Sequence, residues 1–195
     1  MSEGREFRLL EAEVLGQRVF LETRKGLFSP EHADRGTMAM LSTVDFQPGM
    51  RVMDLGCGCG IVGIAAAKKC GAENIVMSDL DPNAVDAARE NAERNGVGGV
   101  KIVVSDGFDA VEEAGFDMIL SNPPYQTDFA VAKKFIEKGF NRLRVGGRMV
   151  MVTKRLDWYR NKLKAIFGGV RVQEIDGYYV FTAEKRSMSY AKKKK

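Results

Sequence analysis

Arg51-Val52-Met53-Asp54-Leu55-Gly56-Cys57-Gly58-Cys59-Gly60 is the stretch on which the reading of the chain turns. Val52, Met53 and Leu55 predict a short buried strand, the glycines a tight turn, and Ile61-Val62-Gly63-Ile64-Ala65-Ala66-Ala67 the start of a helix. Glycine permits positive φ and lets a ligand approach the backbone closely, so such a turn suits a nucleotide-like group at a helix N-terminus. Two patterns overlap here. Gly58-x-Gly60-x-x-Gly63 satisfies the dinucleotide fingerprint, with Asp79 downstream where a ribose would be held. Asp54-x-Gly56-x-Gly58-x-Gly60 instead fits an S-adenosylmethionine turn, in which an acidic residue ends the strand and faces a cationic amino-acid tail. Asp54 favours the second pattern. A carboxylate repels a pyrophosphate, whereas S-adenosylmethionine carries a sulfonium and an ammonium against one carboxylate.

Outward from this turn, strand and helix patterns alternate. Asn74 to Ser78 predicts a second strand ending at Asp79, and Asp81-Pro82 opens a helix with the aspartate as cap and the proline in the first turn. Val100 to Val104 is a third strand leading to Asp106, and Phe116 to Leu120 a fourth running into Ser121-Asn122-Pro123-Pro124-Tyr125. A helix from about Phe129 to Leu143, the pair Gly146-Gly147 and a fifth strand from Met149 to Val152 follow. Leu156, Tyr159, Leu163 and Ile166 form a helical stripe, and Val170 to Ile175 with Tyr178 to Ala183 a closing hairpin. Upstream, Phe7 to Thr23 alternates around Leu15-Gly16-Gln17 as a small hairpin, a lid or a second layer, and Met38, Met40, Leu41 and Val44 suggest a helix. The division expected is a hairpin extension over 1–25, a catalytic domain over 26–186 and a basic tail over 187–195.

Strands alternating with helices imply an α/β domain built on a parallel sheet, with a ligand at the carboxyl ends of the strands. Asp54, Asp79, Asp106 and Asn122 all fall at such ends and outline one site. Asp79 is placed to accept from both ribose hydroxyls and Asp106 from an adenine amino group, although an aspartate before Gly107 is equally at home as a turn residue. Asn122-Pro123-Pro124-Tyr125 decides between the cofactors. Exocyclic and amide nitrogens are poor nucleophiles because their lone pairs are delocalised. An asparagine oxygen and a neighbouring backbone carbonyl, held by the fixed φ of Pro123 and Pro124, can accept both hydrogens of a planar NH₂ and favour its pyramidalisation. Tyr125 then offers a ring for a planar base to stack on.

On these residues the chain resembles class I S-adenosylmethionine-dependent methyltransferases, and among them the "small-domain" group that includes guanine-N2 methyltransferases of small-subunit ribosomal RNA. The likeness runs through Gly26-Leu27-Phe28-Ser29, Asp34-x-Gly36-Thr37, Asp54 to Gly60, Phe116 to Tyr125, Leu143 to Gly147 and the Val152-Thr153-Lys154-Arg155 to Gly168 segment. It implies a Rossmann-like, doubly wound seven-stranded sheet with six parallel strands and an antiparallel one from the terminal hairpin. It further implies that Phe28, Asp34 and Thr37 close over the methionine part of S-adenosylmethionine. Two departures stand out: the bacterial ribosomal RNA enzymes carry a second, degenerate half ahead of the catalytic one, and their motif often ends in phenylalanine rather than Tyr125. Asn-Pro-Pro-Tyr also marks glutamine-N5 methyltransferases of release factors and adenine-N6 methyltransferases. The first carry a helical domain ahead of the fold and the second a target-recognition domain, and neither is expected from this sequence. A dinucleotide-binding oxidoreductase or sensor would explain the glycines and Asp79 but not Asn122 to Tyr125.

The 195 residues suit one domain with a sizeable core, and the net charge of +4 conceals a division. Met1 to Ala132 holds 12 Lys+Arg against 21 Asp+Glu, while Lys133 to Lys195 holds 18 against 5. Such asymmetry suits a polyanionic partner, RNA, with Lys133, Lys134, Lys154, Arg155 and the tail Lys192 to Lys195 facing phosphates and Pro124, Tyr125, Lys154 and Arg155 meeting the substrate. Cys57, Cys59 and Cys70 offer neither zinc spacing nor a natural disulfide, and the single histidine, His32, has no ligand cluster around it, so no metal is expected. No apolar run is long enough to span a membrane and no signal core follows the polar N-terminus, which sets the expectation of a cytoplasmic protein.

Overall fold

The computed structural model describes residues 7–24, 34–124 and 129–191. Strands β1 (Phe7–Val14) and β2 (Gln17–Arg24) form a hairpin, followed by helix α1 (Arg35–Leu41). The glycine-turn unit is strand β3 (Val52–Leu55) and helix α2 (Ile61–Cys70), after which come β4 (Ile75–Asp79), α3 (Pro82–Arg94) and β5 (Lys101–Val104). Then follow β6 (Phe116–Ser121), α4 (Phe129–Arg142), β7 (Leu143–Thr153), α5 (Leu156–Phe167), β8 (Arg171–Ile175) and β9 (Tyr178–Glu184). As expected, Asp81 caps α3, its side chain accepting the Asn83 N–H. Among the described residues no helix is long and apolar enough to cross a membrane.

Seven strands form one sheet in the order β5-β4-β3-β6-β7-β9-β8. Strands β3 to β7 pair in parallel, β9 runs antiparallel to both its neighbours, and β8 therefore points the same way as the first five. Six strands share a direction and β9 opposes them, the architecture that the resemblance implied. Alternation along the central strands separates two cores: Val52, Met118, Leu120, Val150 and Val152 pack toward α1, α2 and α3, and Met53, Leu55, Ile119, Met149 and Met151 toward α4 and α5. A sheet covered on both faces needs apolar residues at consecutive positions, which is why these strands read as continuous hydrophobic runs. From β3 the chain winds outward to β5 and then returns to β6 on the other side. The carboxyl ends of β3 and β6 therefore open a crevice at the reversal of strand order.

The hairpin is a layer of the core: Val14, Val19 and Leu21 are fully buried against the α2 and α3 side. Side chains on α3 complete its edge. Asn91 Oδ1 accepts the Glu22 N–H at 2.7 Å and its Nδ2 donates to the Glu22 carbonyl at 3.0 Å, while Asn95 makes the same pair of bonds with Phe20 at 3.0 and 2.6 Å. Two amides one helical turn apart thus pair with alternate residues of β2, as a neighbouring strand would. Asn91 Nδ2 also donates to the Cys59 carbonyl at 3.0 Å, tying the hairpin to the glycine turn.

Strand β7 is longer than Met149 to Val152, because Gly146 and Gly147 lie inside it rather than in a turn before it. The Gly146 N–H donates to the Lys185 carbonyl at 2.7 Å, and the Gly147 carbonyl accepts from the Lys185 N–H at 2.9 Å. A Cβ on Gly147 would stand 2.7 Å from the Phe116 carbonyl oxygen, where the β6–β7 register shifts. The glycines allow a bulge in a paired strand.

Candidate active site

A cavity of about 410 Å³ opens at the carboxyl ends of β3 to β6, a size suited to a small-molecule ligand. Gly56 and Gly58, at φ +77° and +53°, form part of its wall, and a Cβ on Gly58 would meet no atom within 4 Å. Both positions need glycine for the backbone itself, and their bare Cα atoms leave the wall open to a close-fitting ligand. Asp34, Asp79 and Asp106 also line the cavity, whereas its described lining contains no Lys, Arg or His. Apolar residues that motif reading passed over complete it: Leu10 and Leu21 from the hairpin, Ile61, Leu80, Val131 and Phe135. Leu80 is 68 % exposed, a large side chain left open at the site's rim. The hairpin's inward face carries signals of burial, and sequence periodicity alone does not reveal which cavity that face borders.

Asp54 lies beneath the cavity rather than on its lining. It is 3 % exposed, and its Oδ2 accepts the Gly63 N–H of α2 at 2.9 Å. Burial pushes its carboxyl up to about 7 from 3.8, with the Gly63 N–H pulling the other way and the charge of Asp79 adding to the rise. Between these two pH values the folded chain holds a proton that the unfolded chain has lost, so the Asp54 contribution to stability falls as pH rises from about 4 to 7. Asp54→Asn, which keeps an acceptor for Gly63, is expected to remove that part of the slope, visible as a flatter dependence of the urea midpoint on pH. Gly60, likewise outside the lining, adopts φ +91° at the N-cap of α2. A Cβ there would come within 3.2 Å of Ala88 Cβ, so its role is the close packing of α2 on α3.

Asp79 holds the turn from the other side, its Oδ2 accepting the Gly58 N–H at 2.8 Å and its Oδ1 the Asp81 N–H at 3.0 Å. Asp106 is reached by Lys134 Nζ at 2.6 Å, and the same ammonium contacts Asp109 at 2.8 Å, so Lys134 ties α4 to the wall of the cavity. By sequence, Lys134 counts among the basic residues expected to face a polyanion. The structure instead spends it on two aspartates.

Asn122 is held by two side-chain hydrogen bonds. Ser121 Oγ donates to the Leu55 carbonyl at 2.8 Å, binding the end of β6 to the end of β3. Asn122 Nδ2 then donates to Asp34 Oδ1 at 2.7 Å and to Thr37 Oγ1 at 3.0 Å. Asp34 is the N-cap of α1, and its Oδ1 also accepts the Thr37 N–H at 2.8 Å. An ionised carboxylate can only accept, so the amino edge of the amide must face Asp34 and its oxygen must face away. Asp34 and Thr37 therefore settle which way Asn122 presents its acceptor. Pro123 and Pro124 continue along the cavity wall. Lys154 and Arg155 do not line it. They follow β7, with Lys154 Nζ 5.0 Å from the Tyr178 ring centroid and the Arg155 guanidinium 4.9 Å from that of Phe129. Phe28, His32, Tyr125 and Lys192 to Lys195 lie outside the described residues.

The strand order and the glycine turn together define the class I methyltransferase fold. Residues 18–182 match the family model described as "Methyltransferase small domain", and the chain belongs to that family. It is 33 % identical over 165 residues to a ribosomal RNA small subunit methyltransferase C of Sodalis glossinidius, a match covering 83 % of this chain and 47 % of the relative. An uncharacterized protein of Bacillus subtilis, YbxB, is also 33 % identical, over 167 residues that cover 82 % of this chain and 83 % of that one. Among solved structures, the T. thermophilus 16S rRNA N2 methyltransferase RsmC, in complex with AdoMet and guanosine, superposes with a TM-score of 0.83 at 28 % identity. That match covers 92 % of this chain and 51 % of RsmC. The chain thus spans about half the length of the ribosomal RNA methyltransferases it matches.

Proposed function

We propose that this chain transfers a methyl group from S-adenosylmethionine to an exocyclic amino nitrogen, namely guanine N2 in ribosomal RNA, and that it acts in the cytoplasm. The observation that carries this reading is the fixed amide of Asn122 beside a cavity bounded by the glycine turn. The residues present fit the cofactor. Three carboxylates and no cation on the described lining suit a ligand carrying a sulfonium and an ammonium, and they disfavour a pyrophosphate. Asp54 already occupies the Gly63 N–H, one of the α2 N-terminal donors on which a dinucleotide would depend. In this assignment Asp79 holds the ribose hydroxyls and Asp106 the adenine amino group. Gly56 and Gly58 let the cofactor lie against the backbone, with Gly60 keeping the turn packed and Asp54 anchoring the start of α2 beneath it through the Gly63 N–H. Phe28, Asp34 and Thr37 enclose the methionine end.

S-adenosylmethionine, when bound, supplies an electrophilic methyl group on its sulfonium. Asn122 Oδ1 and the Pro123 carbonyl accept the two hydrogens of the target NH₂, drawing its lone pair out of conjugation. Asp34 and Thr37 keep the Asn122 amide in that orientation, so no reorganisation is needed during transfer. Pro124 and Tyr125 border the base, and Lys154 and Arg155 meet its backbone. The excess of Lys and Arg beyond Lys133 supports an RNA rather than a protein acceptor, and so does the likeness to RsmC.

Incubation with tritiated S-adenosylmethionine and separated cellular RNA and protein, followed by nucleoside and peptide mass spectrometry, tests this reading. N2-methylguanosine in small-subunit ribosomal RNA is expected. Label confined to a glutamine of a release factor would overturn the RNA assignment, and tighter binding of NADH than of S-adenosylhomocysteine would overturn the cofactor.

A further inference from the structure

Helices α4 and α5 begin at the same edge of the sheet as the cavity, and their first turns bring three side chains together. The rings of Phe129 and Trp158 stack with centroids 4.4 Å apart and planes 12° from parallel, and the Arg155 guanidinium lies 4.9 Å from the Phe129 centroid. Tyr159 meets both rings edge-on, with centroids 6.3 Å from Phe129 and 5.2 Å from Trp158, and is itself stacked on buried Phe181. The pair is therefore braced from the core side, while Phe129 and Trp158 each remain only half-buried. Trp158 stacks on Phe129 and the Arg155 guanidinium also lies over that ring, so a ligand would stack on half-buried Trp158, which Phe129 and Tyr159 hold rigidly and which therefore offers stacking area at little entropic cost. Phe129 is five residues beyond Pro124, which places its Cα within roughly 18 Å of that proline's.

We propose that Phe129, Trp158 and Arg155 form a stacking platform for an unpaired RNA base next to the methylated one. This inference rests on the RNA reading above and adds a second contact surface to it. A base entering the cavity must leave its stack, and its neighbour loses a stacking partner in the process. An aromatic pair flanked by a guanidinium replaces that partner for any base, because every base has a π-face. The basic balance beyond Lys133 favours a nucleic acid as the occupant over an apolar peptide.

Trp158 is the only tryptophan of the chain, so its emission reports on the platform directly. A single-stranded, guanosine-containing oligoribonucleotide added to the full chain with saturating S-adenosylhomocysteine is expected to quench that emission. Trp158→Leu is expected to raise the KM for RNA roughly tenfold, the order found for losing one base–aromatic stack, with kcat and S-adenosylhomocysteine affinity unchanged. Trp158→Phe should restore most of the loss. Because no phosphate contact is removed, the slope of log KM against log salt should stay that of the wild type. Methylated RNA with wild-type emission unchanged and a normal KM for Trp158→Leu overturns the platform and leaves the RNA reading standing. An oligoribonucleotide that neither binds nor is methylated, with label appearing only in protein, overturns both. Where Trp158→Leu fails to fold, the wild-type emission decides the matter: quenching by the oligoribonucleotide supports the platform, and unchanged emission with methylated RNA overturns it.

Discussion

Asn122→Ala is expected to lower kcat by about two to three orders of magnitude, the scale seen when one preorganised polar group facing the transition state is removed. Its affinity for S-adenosylhomocysteine should change only a few-fold, because the proposed role lies with the target amino group. A fall in kcat and kcat/KM together marks an interaction made in the transition state. The Asp34 contact makes the test sharper. Asp34→Asn keeps a good N-cap on α1, yet it offers an amide that can present either edge, so the orientation of Asn122 is no longer imposed. A loss of roughly tenfold in kcat is expected for this variant alone, and little further loss when it is combined with Asn122→Ala, since both changes act through one amide. Near-wild-type turnover of Asn122→Ala would remove the amide from the mechanism. Additive losses in the double variant would mean that Asp34 acts elsewhere.

Much of this site is legible in the residues. Asp54, Asp79, Asp106 and Asn122 each end an apolar run, and a parallel sheet brings such ends to one edge whatever the details of packing. The strand-glycine-helix unit around Gly56 to Gly60 is equally local, since turn chemistry and hydrophobic periodicity specify it within a dozen residues. Contacts between distant segments were not legible. Asp34 lies 88 residues from Asn122. Asn91 reads as an ordinary polar position on a helix and Asn95, with Gly96, as the signal that stops it, and only the folded chain shows them completing the edge of β2. The length of β7 was hidden for a different reason. Gly146-Gly147 is a turn signal by composition, and pairing with Lys185 overrides it. Asp54 was expected to face the ligand, and its position beneath the cavity follows from the Gly63 N–H, a donor that no side-chain pattern records.

Asp79→Ala is expected to weaken S-adenosylhomocysteine binding by roughly 1.5–3 kcal/mol, the range for hydrogen bonds to a charged group, which is about ten- to 150-fold in Kd. Two losses contribute. The ribose hydroxyls lose their proposed acceptor, and the Gly58 and Asp81 N–H groups lose the carboxylate that holds the turn in shape. The two are separable with Asp79→Asn, which retains one oxygen for a single backbone N–H and leaves the other without a partner of the right kind. If the turn dominates, both variants should lower the melting temperature of the free protein in proportion to their loss of affinity. If the ribose dominates, the free protein should melt nearly as the wild type, and the difference should emerge only when the ligand is added, since a ligand stabilises the state it binds. Titration calorimetry beside thermal unfolding reads both quantities on the same samples. Unchanged affinity in a folded Asp79→Ala protein would take Asp79 out of the ligand site and leave it as the clamp of the glycine turn alone.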